Sequence, residues 1–161
     1  MSLVSVAYQQ FSDVAELPRL VAALGARTLV FDIEPLVATW DGTQDALDRG
    51  IGGVLDLVRD VSGVRAVCFA TNSARRPTAL PQLPGIDVVY LASARKPFGL
   101  APYGRLPLPG VVIGDQVLTD GLLARRLGYS FLHYRHPQAS PAGPRVLDGI
   151  GQLARPLIFR D

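Results

Sequence analysis

Four short polar strings carry the residue types that could do chemistry. They are Asp32-Ile33-Glu34, Thr71-Asn72-Ser73, Arg95-Lys96-Pro97, and Gly114-Asp115-Gln116 followed by Thr119-Asp120. Each follows a run that reads as a β-strand. Carboxylates are hard oxygen donors that suit Mg²⁺, and a compact ammonium suits phosphate. Brought together, these strings would make a Mg²⁺ and phosphate site. Two of the residues are also rare here. Lys96 is the only Lys among 16 Lys+Arg, and Glu34 is one of only two Glu among 14 Asp+Glu. The other, Glu16, stands three residues after Asp13, the spacing of a helix capping box.

The elements that must position these strings are legible as apolar runs alternating with helical patterns, which implies a mostly parallel α/β sheet. The expected strands are Arg27 to Ile33, Val64 to Ala70, Ile86 to Leu91, Gly110 to Ile113 and Tyr129 to Tyr134. The expected fold is thus α/β, a three-layer Rossmann-like arrangement with a five-stranded sheet. Helices are expected over Asp13 to Leu24, Thr43 to Asp60 (Ala46, Leu47, Ile51, Val54, Leu55 and Val58 at helical spacing), Leu118 to Leu127 ending at Gly128, and Val146 to Leu153. Seven of the 13 prolines lie between Pro77 and Pro109, so long helices are not expected after the second and third strands. In a parallel sheet ligands collect at the carboxyl ends of the strands, which is where all four strings fall.

With 161 residues, 48% hydrophobic and 19% charged, the chain is expected to form one domain with a proper core. Its core spans about 10–135 and an extension follows over 136–161. A formal net charge of +2 is too small for a nucleic-acid binder. The single Cys68 excludes an internal disulfide and sits in an apolar run as a small buried hydrophobe. The N-terminal MSLVSVAYQQF does not read as a signal peptide, and no apolar stretch reaches the ~20 residues of a membrane span. The expectation is a cytoplasmic protein.

The strings FDIEPLVATW, FATNS, ARKP and GDQVLTD, in that order, resemble the haloacid dehalogenase (HAD) superfamily of aspartate-nucleophile phosphatases. The similarity is greatest to its capless, YqeG-like class IIIA branch, which includes phosphatidylglycerophosphate phosphatases. It covers roughly residues 10 to 135. The resemblance implies Asp32 as nucleophile, forming an aspartyl-phosphate, and Glu34 as general acid and base. It implies Thr71 and Asn72, with Lys96, on the phosphoryl oxygens. Mg²⁺ would be held by Asp32, the backbone carbonyl of Glu34 and Asp115, with Asp120 supporting the metal shell or orienting Lys96. The family pattern Asp-x-Asp-x-Thr is here Asp32-Ile33-Glu34-Pro35-Leu36. Glu34 is one methylene longer than the family Asp, Pro35 lacks an N–H, and Leu36 replaces a hydroxyl.

Other residues read less sharply. Arg75 and Arg76 either meet an anionic substrate at the rim or are solvated. Trp40 reads as packing after the first strand. His133 and His136 lack a supporting metal cluster. Only 39 residues separate Asp32 from Thr71 and 25 separate Thr71 from Lys96, too few for a cap domain. An open site suits a large substrate, such as a lipid head group or polymer end, or closure by a second copy of the chain; the expected partner is a phosphorylated small molecule or lipid head group. Two other readings stand beside a phosphatase: a catalytically weakened scaffold that binds a phosphorylated ligand or protein partner, and a receiver-like domain phosphorylated on Asp32.

Overall fold

Every residue of Thr28–Phe31, Ala66–Ala70 and Gly110–Gly114 is buried, the mark of strands covered on both faces. The computed structural model describes residues 6–136 and 142–159. In chain order the elements are β1 (Tyr8–Phe11), a 3₁₀ turn (Val14–Glu16) running into α1 (Leu17–Ala23), β2 (Thr28–Phe31), α2 (Gln44–Val58), β3 (Ala66–Ala70), β4 (Asp87–Leu91), β5 (Gly110–Gly114), α3 (Leu122–Leu127), β6 (Ser130–Tyr134) and α4 (Ala142–Ile158). The six strands form one sheet in the order β1-β6-β5-β2-β3-β4, and every pairing is parallel.

The sheet has six strands, not the five expected. β1 is a four-residue edge strand paired to β6 with Tyr8 opposite Phe131. Its two central glutamines, Gln9 and Gln10, are exposed, so it lacks the apolar run that marks the other strands. The Pro-rich stretches are as expected: among the described residues, the only helical turn between β3 and β5 is the short Ala101–Tyr103.

Alternation along the strands sends side chains to two separate cores. Leu29 and Phe31 pack with Leu17 and Leu20 of α1 and Leu47, Ile51 and Leu55 of α2. Val30 and Val112 pack on the other face with Leu123 and Ala124 of α3 and with Phe159. Burying each such side chain contributes about 1.5–3 kcal/mol. The result is three layers, helices on both sides of the sheet.

Two helix starts differ from their expected form. Asp13 caps by accepting from the Ala15 amide at 2.9 Å, but Glu16 pairs with Arg19 at 3.1 Å and closes no capping box. The segment before α3 is a wide π turn over Val117–Gly121; α3 does end at Gly128, whose φ is +70°. Helix α2 is capped by the Thr43 hydroxyl, which accepts from the Ala46 amide at 3.1 Å. Its Gly50 is a point of close approach: a Cβ there would stand 1.8 Å from the Val37 carbonyl oxygen. The missing side chain lets α2 press directly on the loop that follows β2.

Candidate active site

The ladder continues past the ends of the central strands and fixes the backbone of the first two strings. Asp32 donates its amide to the Ile113 carbonyl at 2.8 Å, and Thr71 donates to the Leu91 carbonyl at 3.0 Å. β2 thus presents Asp32 with Thr71 of the β3 end on one side and Asp115 of the β5 end on the other. The order of strands turns back between β2 and β5, the switch point where α/β sheets place ligands.

A cavity of about 300 Å³ opens there. Asp32, Glu34, Thr71, Asn72, Lys96 and Asp115 all line it, so the predicted site residues are brought together with one exception. Asp120 is fully buried and stands behind the wall. It faces Lys96, whose ammonium donates to Asp120 Oδ1 at 2.6 Å and to Asp32 Oδ1 at 2.7 Å. The second Asp120 oxygen accepts the Gln116 amide at 3.2 Å. Space for this carboxylate comes from Gly114, where a Cβ would lie 2.3 Å from Asp120 Oδ2.

The charges are tightly linked. Burial alone would lower the Lys96 pKa, but the Asp120 and Asp32 carboxylates outweigh it and raise it, so the ammonium stays charged. Burial, and then the charge of Asp120, raise Asp32 well above the ordinary carboxylate range, with Lys96 opposing. Burial and Asp120 likewise push Asp115 up to about 7. Carboxylate oxygens of Asp32, Asp115 and Asp120 lie within 4.8 Å of one another. This surplus of hard oxygen donors can hold a small divalent cation, and Asp32 and Asp115 are the two that face the cavity. Glu34 is not among these three.

Glu34 is held elsewhere. Thr71 Oγ1 lies 3.2 Å from its Oε2, and Arg75 Nη1 donates to its Oε1 at 3.1 Å. Arg75 therefore points inward to a carboxylate; the sequence suggested only a rim or solvated arginine. Asn72 braces Lys96: its Oδ1 accepts the Lys96 amide at 2.7 Å and its Nδ2 donates to the Lys96 carbonyl at 3.1 Å. Both polar atoms of Asn72 are thus engaged by the backbone that carries the ammonium.

Trp40, expected in packing, lines the cavity, as do Ser73, Gln116, Thr119 and Leu147 of α4. Leu147 brings part of the C-terminal extension to the site. Leu36 points away. It packs on the α2-side core and lines a separate apolar cavity with Val37 and Val54. His133 is buried behind Asp115. Its Nε2 faces the Asp115 carbonyl at 3.0 Å, and since a carbonyl only accepts, Nε2 carries the proton. Its Nδ1 is 2.6 Å from the Tyr8 hydroxyl, and burial lowers its pKa, keeping it neutral. Neither His133 nor His136 joins the acidic cluster.

Comparison with family models, curated proteins and solved structures finds no significant match. Among the described residues, no helix is long and apolar enough to cross a membrane.

Proposed function

We propose that this chain is a Mg²⁺-dependent phosphatase of the HAD kind, acting on a phosphomonoester of a small molecule or a lipid head group. The observation that carries the reading is the Lys96 ammonium bridging Asp32 and Asp120 at the wall of a cavity that Thr71 and Asp115 also line. A carboxylate at a strand end, neutralised by a lysine and flanked by a hydroxyl and a second carboxylate, is what attack on an anionic phosphoryl group requires.

In this reading an Asp32 carboxylate oxygen attacks phosphorus, the bond from phosphorus to the ester oxygen breaks, and the departing ester oxygen takes the proton of a protonated Glu34, leaving as the alcohol and leaving Glu34 ionised. Glu34 then removes a proton from water. The resulting hydroxide attacks the phosphorus of the aspartyl-phosphate, which releases inorganic phosphate and restores Asp32. Thr71 and Lys96 donate to the phosphoryl oxygens as charge develops, and Asp120 keeps Lys96 aimed. A cation held by Asp32, the Glu34 carbonyl and Asp115 would supply Lewis-acid screening of the charge between nucleophile and phosphate.

Purified protein with Mg²⁺ is expected to hydrolyse p-nitrophenyl phosphate, and Asp32→Asn to lose that activity. An inactive wild type, or a fully active Asp32→Asn, would overturn the reading.

A further inference from the structure

The Glu34 carboxylate is anchored at both oxygens, and one anchor comes from a residue 41 positions away. Arg75 is itself held in many directions. Its Nη1 also donates to the Thr39 carbonyl at 3.0 Å, and its Nη2 donates to the Gly42 carbonyl at 3.1 Å. Both carbonyls belong to the loop between β2 and α2. At its backbone, the Arg75 amide donates to Ser73 Oγ at 3.3 Å and the carbonyl accepts the Tyr90 hydroxyl at 2.8 Å. A side chain serving only as a solvated charge would need none of the three guanidinium contacts. The planar guanidinium is suited to meeting three acceptors at fixed angles; an ammonium is not.

We propose that Arg75 is a positioning residue for Glu34. It draws one carboxylate oxygen aside and leaves the other against Thr71, so that the long side chain occupies one place over the cavity. Glutamate has one more rotatable bond than aspartate, and a mobile carboxylate of that length would spend little time within hydrogen-bond reach of a reacting oxygen. Arg75 removes that freedom. The clamp also ties the loop after β3 to the loop after β2, so that Thr71 and Glu34 move as one unit.

The inference rests on the phosphatase reading, and steady-state kinetics on p-nitrophenyl phosphate with Mg²⁺ separate the two. Wild type, Arg75→Gln, Arg75→Lys, Glu34→Gln and the Arg75→Gln/Glu34→Gln pair would be compared. Arg75→Gln is expected to lower kcat by about 10- to 100-fold with KM within about twofold, the penalty of a displaced catalytic group. Arg75→Lys, which keeps the charge but not the fork, is expected to recover only part of the loss, and it carries the test if Arg75→Gln does not fold. In the Glu34→Gln background, removing Arg75 is expected to change kcat no further, because the two act as a unit. An inactive wild type would bring down the phosphatase reading and this inference with it. An active wild type overturns the inference alone in any of three cases: Arg75→Gln keeps full kcat, it raises KM at constant kcat, or it costs as much without Glu34 as with it.

Discussion

Two cations hold carboxylates at this cavity, and they do so under different conditions. Lys96 lies between Asp32 and Asp120 with side-chain exposures of 3%, 12% and 0%. Arg75 meets Glu34 with exposures of 24% and 12%, on two loops instead of at a strand end and under a helix. The first cluster is built into the sheet: Gly114 makes room for it, and the Asn72 amide fixes the lysine backbone. Lys96 and Asp120 have almost no water, so each depends on the other, and Asp32 faces the cavity. The second pair keeps contact with solvent and borrows its rigidity from loop carbonyls. Disturbing the first should therefore damage both the fold and its chemistry, and disturbing the second should damage chemistry with little effect on the fold.

The largest effect is expected from Lys96→Met. It strands the buried Asp120 carboxylate and the largely covered Asp32, and removing one partner of a buried ionic group costs about 3–5 kcal/mol. Urea unfolding should read that loss directly, and turnover should fall by about 100- to 1000-fold. Arg75→Gln, by contrast, should cost about 1 kcal/mol or less in the same unfolding measurement, as expected of a partly solvated pair. Equal losses of stability for the two variants would erase the distinction between the clusters.

Asp115 sharpens the same contrast through pH. Its carboxyl is pushed up to about 7 by burial and then by Asp120, above its ordinary value of 3.8. The folded state therefore binds this proton more tightly than the unfolded state. The associated stability is fully present below about pH 4 and is lost as pH rises to about 7, an effect of about 2–4 kcal/mol. His133, with its pKa lowered by burial, acts in the opposite sense, losing stability as pH falls below its ordinary value of 6.5. The difference between wild type and Asp115→Asn isolates the carboxylate. Without divalent ions, Asp115→Asn should be more stable than wild type at pH 8 and should lose that advantage towards pH 4. Mg²⁺ should raise the wild-type unfolding midpoint more at pH 8 than at pH 5, and should do so less for the variant. A difference between the two proteins that does not change with pH would contradict this assignment of the charge.

The two clusters were unequally legible in the sequence. Asp32, Thr71 and Asp115 each follow a buried strand directly, and an apolar run marks a strand end to within a residue or two; Lys96 lies further on, in the loop after the half-buried β4 that ends at Leu91. Parallel pairing then brings those ends together at one edge. Lys96 was further marked by its rarity. Nothing comparable pointed to Arg75. It sits in an irregular loop, one of two adjacent arginines in an arginine-rich chain, and its partner is set by how two loops fold over each other. Trp40 and Leu147 at the cavity were hidden for the same reason, since an apolar residue reads as packing wherever it lies. β1 escaped because an edge strand with two exposed glutamines has no apolar period to detect. The π turn before α3 was hidden because its residues are compatible with an ordinary helix.

The smallest effect is the one that bears most directly on whether Glu34 is a defect or a fitted part. A weakened scaffold would regain activity on Glu34→Asp, more so with Leu36→Thr. The geometry argues against such a gain. Glu34 spans from Arg75 at 3.1 Å to Thr71 at 3.2 Å, and a side chain one methylene shorter cannot hold both contacts without movement of the loop that Arg75 pins. Leu36, meanwhile, packs on the α2-side core, so a threonine there would take apolar surface from the core and offer no hydroxyl to the cavity. Glu34→Asp is accordingly expected to lower kcat by about tenfold with the unfolding midpoint nearly unchanged. Leu36→Thr is expected to lower stability without raising kcat. A rise in kcat for Glu34→Asp would mean that Arg75 restrains the position-34 carboxylate instead of aligning it, and would favour the scaffold reading of this site.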